Sequence, residues 1–97
     1  MINAGDIHFA DLNEERRRRV LVISNSRFEH ASGRVLVAPE ITGIANDVLL
    51  PWRVPIGDAV FAVDLMRSLP TGRLLDRTDR ATSEAMSVVR RALLNIT

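Results

Sequence analysis

Alternating apolar and polar positions near the start of the chain predict a β-strand. Within residues 5–12, Ile7 and Phe9 alternate with His8 and Ala10. A period of two is typical of a strand with one buried face. We therefore predict a first strand in this segment.

Two more strands are predicted before residue 43. The apolar run 20–23 is rich in β-branched residues and ends at the turn signal 24–26. After a loop that contains Gly33, residues 35–42 form a third apolar segment. Because Pro39 has no N–H to donate, it indicates an edge or a bulge in that strand, which we expect to end near Thr42.

The next segments predict a β-hairpin. Residues 49–56 are apolar but contain Pro51 and Pro55, which favours an irregular edge strand. Residues 59–66 alternate more regularly and predict a better-formed strand. Residues 57–58, Gly and Asp, supply the tight turn between the two.

From Thr82 onward the hydrophobic period becomes helical. Thr82 is a suitable N-cap, Glu84 lies in the first turn, and apolar residues such as Val89 and Ile96 recur at helical spacing. Short antiparallel strands followed by one helix predict a small α+β barrel. We expect a single domain over residues 1–97, since a chain of this length supports one core.

Composition excludes several classes of protein. Hydrophobic residues make up 46% of the chain and charged residues 26%, which is typical of a globular protein rather than a disordered one. The absence of cysteine excludes disulfides and thiolate metal sites. No apolar run has the length of a membrane span or a signal peptide, so we predict a cytoplasmic protein with no membrane association.

The positive charge is concentrated rather than spread evenly. All basic residues are arginine, and four of them form the run 16–19, although the net charge is only +1. Guanidinium groups bind phosphates bidentately and stack on bases, so the run favours an anionic partner. The residues alone also permit a solvated hairpin, with screened ion pairs between these arginines and Glu14 or Glu15.

Four segments and the closing helix resemble the MazF/PemK family of toxin endoribonucleases in order and spacing. They are GDIHFADL at 5–12, RRVLVISN at 18–25, APEIT at 38–42 and DLMRSL at 64–69. The resemblance spans nearly the whole chain. It implies an SH3-like barrel related to that of the CcdB toxins, a homodimer, and RNA cleavage by a type II toxin that a cognate antitoxin protein inhibits.

The resemblance also implies a set of site residues. Arg18 matches the family's catalytic arginine and Thr42 its catalytic threonine, while Glu15, or alternatively Glu14, is the candidate general base on the first hairpin. No metal or cofactor is expected. The predicted RNA-binding arginines are Arg16, Arg17, Arg19 and Arg67.

These residue types suit RNA cleavage without metal. The 2′-hydroxyl must lose a proton, the leaving oxygen must gain one, and the charge on the pentavalent phosphorus needs fixed donors. We assign charge stabilisation to Arg18, because its pKa is too high for a general base. Thr42 would orient the phosphate, and the product would be a 2′,3′-cyclic phosphate.

The sequence departs from the family pattern in the first hairpin, in the strands and at the short turn 57–58. The hairpin is short, Arg19 replaces a proline, and Glu40 is one residue more than usual between Pro39 and Thr42. Because strand side chains alternate faces, an extra residue would turn Thr42 away unless a bulge compensates.

Two alternatives therefore stay open. One is an RNA-binding module without nuclease activity. The other is a CcdB-like toxin that binds DNA gyrase. That group relies on a Trp-Gly-Ile ending, whereas this chain ends in Leu-Asn-Ile-Thr at 94–97.

Overall fold

The computed structural model describes residues 2–42 and 50–97 as an antiparallel sheet with a C-terminal helix. The strands are β1 (Asp6–Ala10), β2 (Arg18–Val22), β3 (Arg34–Ile41), β4 (Arg53–Ile56), β5 (Ala59–Ala62), β6 (Arg67–Pro70) and β7 (Leu74–Arg80). The helices are α1 (Ser26–Ser32) and α2 (Ser83–Ile96), and 3-10 turns occupy Val63–Leu65 and Thr71–Arg73.

β3 is the central strand and changes partner along one edge. It pairs with β2 on one side, and with β6 and then β5 on the other. Val37 lies opposite Arg67 of β6, whereas Glu40 lies opposite Phe61 of β5. Pro39 falls between these two pairs, where the missing N–H is tolerated because the ladder is already interrupted.

The sheet follows the order β4-β5-β3-β2-β1-β7, with β6 paired to β3 beside this path. Every pairing is antiparallel. The predicted α+β class, with an antiparallel sheet and a C-terminal helix, is confirmed. Within residues 2–42 and 50–97 no pairing joins β4 to β7, so the sheet remains open.

Alternation along the strands gives the sheet two buried faces. On β2, Leu21 belongs to one core cluster, and Val20 and Val22 belong to the other. The first core lies under α2 and the β4–β5 hairpin; its members are Ile7, Leu21, Ala38, Val54, Ala59, Phe61, Val63, Val89 and Ala92. The second core lies on the opposite face; its members are Ala10, Leu12, Val20, Val22, Val35, Val37 and Leu69.

The C-terminal helix forms where its capping and periodicity predict it. The Thr82 hydroxyl accepts a hydrogen bond from the Ala85 N–H at 3.1 Å, which satisfies one free donor of the first turn. Val89 and Ala92 are buried against the first core. Ile96, predicted on the apolar stripe, is instead 41% exposed, so the buried stripe ends before the last residue of the helix.

The structure differs from the sequence prediction in one loop and in the bounds of two strands. Residues 26–32, predicted as loop, form α1, whose N-cap Asn25 accepts a hydrogen bond from the Phe28 N–H at 3.0 Å. The predicted strand 59–66 ends at Ala62 and is followed by a 3-10 turn. The strand predicted over 49–56 begins at Arg53, and Leu49 lies outside the described residues.

An ion pair fixes the β4–β5 hairpin to the following turn. Arg53 donates from Nε and Nη2 to the two carboxylate oxygens of Asp64, at 2.7 and 2.9 Å. These hydrogen bonds hold the pKa of Asp64 below its ordinary value, because they favour the charged carboxylate.

We expect Asp64→Asn to lower the free energy of unfolding by about 1 kcal/mol at neutral pH, since the pair is half-buried. A lowered pKa in the folded state stabilises the fold above the ordinary aspartate pKa and ceases to do so as pH falls through the lowered value. In urea unfolding the deficit should therefore stay constant from pH 7 to about pH 5 and shrink only as the pH falls below about 4. Asp76→Asn, at an exposed position, is the matched control, and an Asp64→Asn deficit that persists unchanged in acid would contradict the prediction.

Candidate functional site

A groove of about 390 Å³ lies between the first hairpin and the end of β3. It brings together most of the residues predicted as catalytic or RNA-binding. The residues that line it are Glu14, Glu15, Arg16, Arg17, Arg18, Glu40 and Thr42. Side chains from two neighbouring strand ends therefore meet in one concave surface.

Arg18 and Thr42 line the same groove because the start of β2 lies beside the end of β3. Arg18 begins β2, where it lies opposite Ala10 of β1, and Thr42 follows the last residue of β3. β3 pairs with β5 through Glu40, opposite Phe61, and Ile41, opposite Val60, with no register shift between these two pairs. Thr42 lines the groove because it lies beyond the strand, where alternation no longer fixes its direction.

Within this groove Arg18 is paired with Glu14. Arg18 Nη2 donates to Glu14 Oε2 at 2.6 Å. The two side chains are 35% and 39% exposed, so solvent screens the pair and it is easily separated. The candidate base Glu15 and the arginines Arg16 and Arg17 are exposed and have no ion-pair partner among the residues described.

Arg19 points to the opposite side of β2 from Arg18 and is engaged with two carboxylates. It donates to Glu40 from Nε at 3.2 Å and from Nη2 at 2.6 Å, and to Asp58 from Nη1 at 3.4 Å. The hydrogen bonds that Arg19 donates to the Glu40 carboxylate raise the pKa of Arg19 above its ordinary value. Arg19 was predicted to contact RNA, but in the structure three of its five N–H donors are bonded to carboxylates.

Glu40 is the groove residue that sequence reasoning missed as a functional candidate. It is only 14% exposed, and its carboxylate is held by Arg19 across 21 positions of sequence. A lone Glu at a strand end carries no local signal of such a partner.

Arg67 lies outside this groove. It begins β6 opposite Val37 of β3 and is exposed. Val37 precedes Glu40 by three residues, which is about 10 Å along an extended strand. A direct role for Arg67 would therefore require a ligand that extends beyond the groove.

His8 and Trp52 have side chains that can act in catalysis or RNA binding, but in the structure they pack within the fold. His8 is 9% exposed, and its Nδ1 lies 2.8 Å from the Leu75 carbonyl oxygen of β7, which ties it to the sheet. Trp52 is half-buried against the first core. Both side chains therefore belong to the packed part of the fold and not to the groove.

The described ranges contain neither a cluster of metal ligands nor a membrane-spanning helix. Across 2–42 and 50–97, no three His, Asp or Glu side chains come together as metal ligands would. Within the same ranges, no helix is both long and apolar enough to cross a bilayer.

Comparison with protein families gives one match over nearly the whole chain. The model of the family described as "PemK-like, MazF-like toxin of type II toxin-antitoxin system" matches residues 3–97. Among curated proteins, no sequence matches significantly.

Solved structures show the same fold at low sequence identity. An endoribonuclease in complex with its cognate antitoxin, from a mycobacterial species, is 19% identical with a TM-score of 0.80, over 97% of this chain and 90% of that one. A MazE-MazF structure from Deinococcus radiodurans is 20% identical with a TM-score of 0.81, over 98% and 93%. The toxin MazF-mt6 of Mycobacterium tuberculosis is 22% identical with a TM-score of 0.78, over 93% of each chain.

Proposed function

This chain belongs to the family of PemK-like, MazF-like toxins of type II toxin-antitoxin systems, and from that membership we propose that it is an endoribonuclease. The observation that carries the proposal is the groove in which Arg18 and Thr42 meet beside the exposed arginines of the first hairpin. Solved structures with this fold that are named endoribonucleases support it.

In the proposed reaction the RNA supplies its own nucleophile. The 2′-hydroxyl loses its proton and attacks the adjacent phosphorus, the bond to the 5′-oxygen breaks, and that oxygen gains a proton. The products are a 2′,3′-cyclic phosphate and a 5′-hydroxyl. The reaction needs no metal ion, because fixed hydrogen-bond donors stabilise the charge that develops on the phosphoryl oxygens.

Three groove residues carry the proposed roles. Arg18 exchanges Glu14 for the scissile phosphate and stabilises its transition-state charge. Thr42 orients the phosphate through its hydroxyl. Glu15, exposed on the first hairpin, takes the proton of the 2′-hydroxyl as general base.

The remaining arginines of the hairpin bind RNA in this proposal. Arg16 and Arg17 are exposed at the groove, and each would contact a backbone phosphate. Arg67 would contact an RNA segment that leaves the groove along β3. Since the substrate is cellular RNA, we place the activity in the cytoplasm.

A cognate antitoxin is the proposed inhibitor. Structures of this fold named as complexes with an antitoxin support it. An acidic segment of the antitoxin would occupy the same arginine-lined groove as RNA, because both ligands present negative charge.

The proposal is tested with purified protein and a labelled RNA in buffer that contains EDTA. We expect cleavage whose 3′ ends resist labelling until the cyclic phosphate is opened, and whose 5′ ends accept phosphate from polynucleotide kinase. Arg18→Ala protein, purified in parallel, controls for contaminating ribonuclease.

Other outcomes favour the alternatives. RNA binding without cleavage would favour the nuclease-inactive module, and cleavage only after addition of magnesium would overturn the metal-free mechanism. Inhibition of gyrase without any effect on RNA would favour the CcdB-like activity.

The two hairpin glutamates should respond oppositely to neutralisation. Glu14→Gln removes the competitor for Arg18, so we expect RNA to bind a few-fold more tightly, in line with an exposed ion pair of at most about 1 kcal/mol. Glu15→Gln removes the proposed base, so single-turnover cleavage should slow by about a hundredfold. Binding and rate are measured separately for both variants, and a slowed Glu14→Gln with an unaffected Glu15→Gln would transfer the base to Glu14.

We also propose a homodimer. Leu49, Leu50 and Trp52 form an apolar stretch of sequence that could serve as the interface: Leu50 is 41% exposed, Trp52 packs inward, and Leu49 lies outside the described residues. Exposed apolar groups such as Leu50 gain by symmetric pairing. Light scattering at micromolar concentration should give twice the mass of one chain, and the mass of a single chain would contradict the proposal.

A further inference from the structure

We infer that Arg19 is a positioning residue, which holds Glu40 and Asp58 and so fixes the groove wall that carries Thr42. The inference rests on the proposed function for the role it gives Thr42. It assigns Arg19 a task different from the RNA contact expected from the arginine run.

The contacts of Arg19 join three parts of the chain. Its guanidinium extends from β2 to Glu40 of β3, and then to Asp58 in the turn between β4 and β5. Two parallel hydrogen bonds to one carboxylate fix orientation as well as distance. The end of β3 is therefore tied to both of its neighbours, β2 and the β4–β5 hairpin.

The sheet register explains why the pair forms. Leu21 lies opposite Ala38 and Val20 lies opposite Pro39, so the next pair in the same register is Arg19 and Glu40. Both side chains then project on the face of Leu21 and Ala38, and Glu40, at the end of β3, also borders the groove. Arg19 is 28% exposed and Glu40 14%, so this pair is less screened than that of Arg18 and Glu14.

The position of Glu40 links the pair to the groove. Glu40 lines the groove together with Thr42, which is two residues further along the chain. A carboxylate at this place would repel an RNA phosphate if it were unpaired. Arg19 therefore both orients Glu40 and cancels its charge next to the proposed site of cleavage.

A positioning role means that Arg19 acts through Glu40, and a double-mutant cycle tests this dependence. Arg19→Gln alone should slow single-turnover cleavage at saturating enzyme by about tenfold, because it leaves Glu40 charged and unpaired. Glu40→Gln alone should slow cleavage as well, because it breaks the same contact, and Arg19→Gln combined with Glu40→Gln should be no slower than the slower of the two single variants. If Arg19 instead contacts RNA, the two losses will multiply, and the inference is overturned.

Arg16 provides the matched control for a residue that contacts phosphate. Arg16→Gln should weaken binding, lower the salt dependence by about one unit of slope, and gain nothing from Glu40→Gln. Arg19→Gln should leave the slope unchanged. Arg19→Lys keeps the charge but lacks the planar fork, so a positioning role predicts a slowed rate in that variant as well.

Hydrogen exchange of the backbone separates this inference from the proposed function. Arg19→Gln should raise the exchange of residues 40–42 and 57–58, and Glu40→Gln should produce the same pattern without RNA present. Unchanged exchange would overturn the inference even if the protein cleaves RNA. If exchange rises in the two variants but the wild-type protein cleaves no RNA, the result would support the positioning role of Arg19 and refute the proposed function.

Discussion

Replacing Phe61 with alanine is expected to lower the free energy of unfolding by about 3–5 kcal/mol. Phe61 is the largest fully buried side chain, with 0% exposure, and lies in the first core. On β5 it pairs with Val54 of β4 and Glu40 of β3. Its loss would leave a cavity at the point where the hairpin meets the groove wall.

The measurement is urea unfolding, in which the midpoint should fall while the slope stays the same. Phe9→Ala and Phe28→Ala are matched controls, because both phenylalanines are 39% exposed and should lose far less. Small domains have only about 5–15 kcal/mol of stability, so Phe61→Leu is the milder variant if Phe61→Ala does not fold. Equal losses at positions 61 and 9 would contradict the burial assigned to Phe61.

The elements that the sequence predicted are those with a strong hydrophobic pattern. In β2 and β3, runs of β-branched residues fill both cores, so apolar residues are continuous and the strands are recognisable. The Thr82 cap and the stripe through Val89 likewise mark the start and buried face of α2. In these cases the local pattern and the tertiary packing agree.

The elements that it missed lack such a pattern. α1 has no buried residue, so nothing marks its helical period, and its cap Asn25 is equally typical of a turn. β7 is mostly exposed and reads Leu-Leu-Asp-Arg-Thr-Asp-Arg, with charges where a strand pattern would show apolar residues. Its strand conformation comes from pairing with β1, which is distant in sequence: Asp6 and Arg80, which lie opposite each other, are 74 residues apart.

The groove residues also divide into those that the sequence predicts and those whose contacts appear only in the tertiary structure. The resemblance supplied Arg18 and Thr42, and the structure brings both into one groove. Two of the departures from the family pattern, Arg19 and Glu40, prove to be bonded to each other. The sequence around either residue does not predict the other as its partner, because their contact depends on the register of β2 and β3.

Replacing Arg18 with alanine is expected to slow RNA cleavage by about a hundredfold or more at saturating enzyme. Arg18 is the arginine of the run that begins β2 and faces the groove with Thr42, and its partner Glu14 is displaceable. A fixed donor at the reacting phosphate acts mainly in the transition state, so the loss should appear in the rate and not only in binding.

Arg16→Ala separates catalysis from affinity. Arg16 belongs to the same run and lines the same groove, but it is exposed on the hairpin before β2 begins. Its loss should weaken binding and reduce the salt dependence, with little change in the single-turnover rate at saturation. Thr42→Ala, which removes the hydroxyl that orients the phosphate, should slow the rate in EDTA as Arg18→Ala does.

A loss of folding must not be mistaken for a loss of catalysis. The Arg18–Glu14 pair is exposed, so Arg18→Ala should change the free energy of unfolding by less than about 1 kcal/mol. Arg18→Lys keeps the positive charge but not the planar fork, so its rate should fall between those of the wild type and Arg18→Ala. Equal single-turnover rates for Arg18→Ala and Arg16→Ala would refute the catalytic assignment, because both arginines would then serve only to hold the RNA.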